Sequence, residues 1–338
     1  YSGLTDYISR IASTLPEILS VGFLVNSGSE ANELAVRLAR AHTGNFDMAV
    51  IEGAYHGHTG MLIDLSPYKF RGLGGKGKSE KWVNVLPIPD EYRRAKTNFA
   101  EEAIANLNQC GPLAGVLIES MLSCAGQIPL PSGYLPTLAK EIRDKGGLLI
   151  ADEVQVGFGR TGSNMWAFQD SEVIPDIVVM GKPMGNGHPM AAVFTTNAIA
   201  SSFGGMEFFS TFGGNPVSCA IGMAVLDVIE EEELVTKARL LGARMISGLE
   251  SLKDDYELIG DIRGKGLFLG MELVRNRATL EPAPREATML VDNMRDMGVL
   301  LSTDGPLHNV IKIKPPMVLI ENDIDETLSK LDFCLASL

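Results

Sequence analysis

Apolar residues gather in short unbroken runs along the chain, at Val21–Val25, Met48–Ile51, Val83–Leu86, Gly115–Ile118, Leu148–Ala151, Ile177–Val179 and Ala192–Thr195. Stretches with helical spacing, such as Phe99–Asn108 and Leu135–Asp144, lie between several of them. Continuous apolar strands separated by helices predict a mostly parallel sheet covered on both faces, an α/β architecture. Pro216–Leu234 is apolar nearly all round and is expected to be a helix buried between two parts of the molecule. From about Val235 the pattern changes to a helix, a strand at Leu267–Leu273, a helix near Ala287–Met297 and short strands at Val299–Leu301 and Val310–Ile313. That change predicts a large domain over 1–234 and a smaller C-terminal α+β domain over 235–338.

Ligands of such sheets bind at the carboxyl ends of the strands, so the residues that close the apolar runs are the candidates. Asn26, Asp152 and Lys182 all hold such positions. An acid and an amine so placed are the two side chains that pyridoxal phosphate chemistry needs, the amine for a Schiff base and the carboxylate to keep the ring nitrogen protonated. Taken singly, each is an ordinary loop lysine or capping aspartate. Their company changes the reading. Asn26-Ser27-Gly28-Ser29 joins an apolar run to an amphipathic helix, where free backbone N–H groups and the positive helix end favour a phosphate. Gly53–Gly60 sets Tyr55 among glycines, where its ring can lie against a planar ligand, and Phe209–Pro216 opens another long helix as a second candidate anion site.

With these segments in this order, the chain resembles the class III pyridoxal-phosphate aminotransferases of fold type I, from about Gly22 to the C-terminus. The resemblance implies that Ser27, Gly28 and Ser29 hold the cofactor phosphate, that Tyr55 stacks on the ring and that Asp152 pairs with the ring nitrogen. It further implies that Val154 packs on the opposite face, that Gln155 approaches the ring hydroxyl and that Lys182 bonds the cofactor. His56 joins the cofactor residues by its place in the tyrosine motif, although His56, His58 and His188 read by themselves are satisfied loop histidines. In this family the threonine matching Thr211 reaches the phosphate of the neighbouring subunit, so the resemblance implies a homodimer. Family members carry a longer segment ahead of the Ser-Gly-Ser motif than the one that starts here at Tyr1, which implies a missing N-terminal segment.

Two other glycine motifs compete. Gly72-Leu-Gly-Gly-Lys-Gly-Lys-Ser79 matches a nucleotide phosphate loop, with Leu148–Glu153 as the acidic strand that accompanies it. Such a loop must leave a buried strand and start a helix, whereas Ser66–Arg71 precedes this one and the strand-like Trp82–Leu86 follows it. Gly157-Phe-Gly-Arg-Thr-Gly162 matches the dinucleotide fingerprint but runs into a short polar stretch at Ser163–Gln169, so it is read as a glycine-rich active-site loop.

At 338 residues with 45% hydrophobic content, the chain can bury a large core. A net charge of −13 excludes a basic nucleic-acid surface and an anionic membrane surface as partners. Cys110, Cys124, Cys219 and Cys334 are far apart and without histidines at ligand spacing, so neither a metal site nor a disulfide framework is expected, and reduced thiols fit a cytoplasmic enzyme. No apolar run reaches the roughly 18 to 20 residues of a membrane span, and no signal peptide is visible.

Class III aminotransferases carry a Glu-Pro-x-x-Gly-Glu-Gly pattern where this chain has Glu119-Ser-Met-Leu-Ser-Cys124-Ala-Gly126. They also carry a carboxylate-gripping arginine where this chain has Lys312. A planar fork has become a point charge, which suits a carboxylate less. With Gly181–Pro189 and Ser302–Pro306, these departures resemble the phospho-lyase branch, which acts on O-phosphoethanolamine or phosphohydroxylysine. The resemblance implies elimination of phosphate from a small phosphorylated amine; the alternative is an aminotransferase moving an amino group from an amino acid or ω-amine to a 2-oxo acid. Lys312 and Lys314 read by themselves are a solvated strand end. Arg160 and Arg263 either bind the substrate phosphate or brace loops.

Overall fold

The computed structural model describes residues 2–204 and 208–338. Seven strands form the main sheet: β1 (Val21–Val25), β2 (Asp47–Ile51), β3 (Val83–Leu86), β4 (Leu113–Glu119), β5 (Leu148–Asp152), β6 (Ile177–Met180) and β7 (Ala191–Thr195). Their order across the sheet is β1-β7-β6-β5-β4-β2-β3. Neighbours from β3 to β6 pair parallel, whereas β7 runs antiparallel to both β6 and β1. Because β7 reverses between two strands of one direction, β1, β5 and β6 present their carboxyl ends at the same edge.

The unbroken apolar runs follow from burial on both faces. Ile150, Ile177, Val179 and Val193 pack with Leu34, Ala35 and Leu38 of the helix Gly28–Thr43 on one face. Their sequence neighbours Ala151, Val178 and Phe194 turn to the other, against Tyr7, Ile11, Trp166 and Phe168. Further along that face, Val116, Ile118 and Leu149 meet the helices Phe99–Leu107 and Tyr134–Asp144.

The C-terminal part has its own apolar cluster. The long helix Leu234–Asp255 leads into β8 (Ile259–Lys265), β9 (Phe268–Asn276), β10 (Ser302–Asp304) and β11 (Val310–Ile313). These pair antiparallel in the order β8-β9-β11-β10, with the helices Pro284–Asp296 and Glu321–Leu335 packed on them. Neither β8 nor the last helix was expected. The strand Ile-Gly-Asp-Ile-Arg-Gly-Lys is broken by glycines and charges, and Arg263 pairs with Asp261 of the same strand and with Glu272 of β9.

Three expectations need correction. The helix from Pro216 stops at Glu231; Glu233, at φ +50°, turns the chain before Leu234 opens the next helix. This first helix is covered on one side only: Ser218, Cys219, Gly222 and Leu226 are buried, while Val217 and Val228 are exposed. The expected strand at Val299–Leu301 lies instead at Ser302–Asp304, and Leu300 is exposed. The loop Gly157–Gly162 is bracing rather than part of the active site. Gly159 lies against Val235 and Gly162 against the Arg239 backbone, so a β-carbon at either would clash at 2.5 Å.

Gly72–Ser79 forms exposed turns after the four-residue helix Pro67–Phe70, with no strand before it and no helix after it. The geometry of a nucleotide phosphate loop is absent there. Lys78→Ala is accordingly expected to leave turnover within a few-fold of the parent, and ATP binding that disappeared in that variant would contradict this reading.

Candidate active site

A cavity of about 320 Å³ opens where β1, β5 and β6 end, and every residue assigned above to the cofactor lines it except Thr211. Ser27 caps the helix Gly28–Thr43, its hydroxyl accepting from the Glu30 N–H at 3.1 Å, and Ser29 Oγ accepts from the His58 N–H at 3.2 Å. The strand must turn sharply here, and the backbone comes close to its surroundings. A β-carbon on Gly28 would stand 3.1 Å from Val154, and one on Gly57 would stand 2.7 Å from Ser29 Oγ. Donors at a helix start beside bare glycine backbone suit a phosphate.

At the other end, Asp152 is 3% exposed. Its Oδ2 accepts from Asn32 Nδ2 at 2.8 Å and lies 2.8 Å from His56 Nδ1, while Oδ1 accepts from the Val154 N–H at 3.1 Å. Three groups therefore fix the orientation of one carboxylate. His56 is thus a partner of Asp152, and not the satisfied loop histidine expected, since its Nε2 is buried without a partner among the described residues. His188 does satisfy the simpler reading, with Nε2 2.8 Å from Ser218 Oγ, and His58 is exposed at the cavity rim.

Lys182 follows β6 at φ +29°, a strained region for a residue with a β-carbon, and its exposed amine has no hydrogen-bond or ion-pair partner among the described residues. Tyr55 also lines the cavity and meets Tyr68 edge to face at 6.3 Å between ring centres. Asn32 Oδ1, His56 Nε2 and Glu119 Oε2 line the cavity as buried atoms without a hydrogen-bond partner among the described residues. An unpaired amine, a fixed carboxylate, a phosphate cradle and orphaned polar atoms fit pyridoxal phosphate.

Glu119 was not singled out as a site residue, yet it closes β4 as Asp152 closes β5, and the two stand side by side in register. A carboxylate ending a buried run was the available signal. Burial pushes its carboxyl up to about 7; the Asp152 charge adds to this, while His56 opposes it. One oxygen accepts from the Ser123 hydroxyl. Burial likewise pushes the Cys124 thiol up to about 12, with Glu119 and Asp304 adding to it.

The structure brings Cys124 and Lys312 into one cluster but inserts a carboxylate that the sequence reading missed: Lys312 Nζ donates to Asp304 Oδ2 at 3.0 Å. Lys314 Nζ donates to Gln155 Oε1 at 2.8 Å. The solvated strand end is therefore overturned, because both lysines are half-buried and partnered; neither lines the cavity itself, and Lys314 reaches it through Gln155. For Arg160 and Arg263 bracing wins. Arg160 donates to the carbonyls of Leu267 (3.1 Å) and Pro315 (2.9 Å), and Arg263 to the Gly126 carbonyl (2.8 Å), Asp261 and Glu272. Thr211 lies outside the cavity, on an exposed segment with Phe209 and Phe212.

Residues 2–335 match the family model described as Aminotransferase class-III. The chain is 46% identical to the alanine–glyoxylate aminotransferase 2-like protein of Drosophila melanogaster, over 99% of this chain and 71% of that one. It is 44% identical to ethanolamine-phosphate phospho-lyase homolog 1 of Caenorhabditis elegans, over 97% of this chain and 75% of that one. A solved Arthrobacter phospholyase in complex with phosphoethanolamine superposes with a TM-score of 0.94 at 40% identity, covering 100% of this chain and 82% of that one. The chain thus belongs to the class III aminotransferase family, as a pyridoxal-phosphate-dependent enzyme of fold type I.

Proposed function

We propose that the protein is a phospho-lyase that converts O-phosphoethanolamine, or a related phosphorylated amine, with water to the aldehyde, ammonia and inorganic phosphate. The observation that carries this reading is the Lys312–Asp304 pair. The cation placed where family members grip a substrate carboxylate is already neutralised by a carboxylate that is 3% exposed. A substrate without a carboxylate has no need of it. The similarity to the Arthrobacter and Caenorhabditis proteins supports the same reading.

The cofactor, when bound, supplies a carbonyl for the substrate amine and an electron sink for the charge left by proton removal. Ser27, Gly28 and Ser29 would hold its phosphate, and Tyr55 and Val154 would hold its ring. Asp152, oriented by Asn32 and His56, holds a proton at the ring nitrogen. Lys182, whose amine is free of other partners, removes the proton from the carbon that bears the substrate amine. Phosphate then leaves from the adjacent carbon with its bonding electron pair, and water releases the aldehyde and ammonia.

This reading includes a homodimer in which Thr211 of each chain reaches the other's cofactor phosphate, supported by its place outside its own cavity beside exposed Phe209 and Phe212. It also divides the chain into a cofactor-binding domain over 1–234 and a small domain over 235–338, supported by the separate apolar clusters. Similarity to the Drosophila aminotransferase-like protein favours transamination as the second reading. O-Phosphoethanolamine given alone to holoenzyme is expected to yield phosphate and acetaldehyde in equal amounts over many turnovers. Reaction that stops after one turnover and resumes only with a 2-oxo acid would establish the aminotransferase instead.

A further inference from the structure

Strand geometry puts alternate residues on opposite faces, so Ile311 and Ile313 of β11 enter the apolar cluster of the C-terminal part while Lys312 and, just beyond the strand, Lys314 share the other face. Their ammonium groups are not equivalent. Lys312 is paired with Asp304 at 3.0 Å. Lys314, among the described residues, has no carboxylate within ion-pairing distance: its Nζ donates to the neutral Gln155 amide at 2.8 Å and lies 4.6 Å from the centre of the Phe268 ring. Arg263 is matched by Asp261 and Glu272, and Arg160 is held on two backbone carbonyls; Lys314 is the half-buried cation without a carboxylate partner that bonds a cavity-lining residue, Gln155.

We propose that Lys314 is the anchor for the phosphate end of the substrate, with Lys312 beside it as the secondary contact. The assignment deepens the phospho-lyase reading and rests on it for the identity of the anion. Gln155 ties this cation to the reacting centre. It lines the same cavity as Asp152 and Lys182, and its Nε2 donates at 3.1 Å to the Ser123 hydroxyl, which in turn donates to Glu119. A buried ammonium without a counter-ion is costly, and an incoming dianion removes that cost. Two lysines on one strand face, with α-carbons about 7 Å apart, can each reach a different oxygen of one tetrahedral phosphate.

The electrostatic setting agrees. Lys314 faces Lys312 on its own strand, Asp304 on β10, Glu119 at the end of β4 and Cys124 in the turn after it. Burial and then the Lys312 charge lower its ammonium to about 8, against the opposing pull of Glu119 and Asp304. A bound dianion favours the protonated ammonium. Raising the pH through about 8 deprotonates Lys314 in the free enzyme and must therefore weaken phosphate binding.

The test is calorimetric titration of holoenzyme with inorganic phosphate, the product. Lys314→Met is expected to weaken binding at least ten-fold with cofactor content and absorbance unchanged, and Lys314→Arg to keep it within a few-fold. Wild-type affinity should fall between pH 7.5 and 9.5, where phosphate is already mostly dianionic, and the Arg variant should stay flat. Undiminished binding by the Met variant, or a flat wild-type profile, would overturn the assignment. Because the titration reads binding and not turnover, it separates an error about Lys314 from an error about the reaction, which the phosphoethanolamine assay detects independently.

Discussion

Replacing Lys182 with alanine is expected to lower turnover by at least about 10⁴-fold, since one amine serves both as covalent anchor and as base. The structure supplies the reasons for assigning both roles to it. Lys182 stands at the shared carboxyl edge of the sheet, in a backbone region that disfavours side chains, with an amine engaged by no other group among the described residues. Backbone strain of that kind, of order 1–3 kcal/mol, persists only where surrounding structure imposes it. Here Gly181 lies close against Gly28, with a built β-carbon 3.5 Å from the Gly28 nitrogen. The turn that carries the lysine thus packs in van der Waals contact with the phosphate cradle. Borohydride treatment followed by peptide mapping should locate the cofactor on Lys182 in the parent and on no residue in the variant; a reducible lysine adduct in the Ala protein would sink the assignment.

How much of this was legible beforehand depends on whether a feature is local. All seven sheet strands were readable: burial on both faces forces unbroken apolar runs in the central ones, and the partly buried edge strands β1 and β3 are still mostly apolar. The edge at which the site forms followed from the same runs, since Asp152 and Lys182 terminate two of them. β8 was missed because its charges are neutralised by partners elsewhere in the sequence, as when Arg263 meets Glu272. The Asp304–Lys312 pair was invisible for a related reason. The loss of a glutamate at Cys124 was plain, but nothing in the sequence said that a carboxylate from β10 stands beside the lysine. The helix from Pro216 misled in the opposite sense, because an all-round apolar pattern cannot say whether every face is covered within one chain.

Glu119 and Asp152 illustrate how one sheet edge gives two identical functional groups different chemistry. They sit in register on adjacent parallel strands, both almost fully buried. Donors converge on Asp152 from Asn32, Val154 and His56, whereas Glu119 has the Ser123 hydroxyl and an orphaned second oxygen. Burial raises the Glu119 carboxyl to about 7, the Asp152 charge beside it adds to this while His56 opposes it, and Glu119 has the fewer donors to offset the burial.

That asymmetry sets the second large effect. Asp152→Asn preserves the shape of the side chain and removes its charge, so the cofactor should still bind while turnover falls about 10³-fold. The loss should appear in kcat with KM little changed, because a proton held at the ring nitrogen matters only once charge develops on the substrate carbon. The amide oxygen can keep both Asn32 and His56 only by turning its NH2 toward the Val154 N–H, so at least one of these contacts must break, and the ring environment should report this as a changed absorbance of the bound cofactor. Near-normal kcat in the Asn variant would mean that another acid protonates the ring. Glu119, in register beside it and titrating near neutrality, is the group positioned to substitute, and a further loss on adding Glu119→Gln to that variant would identify it.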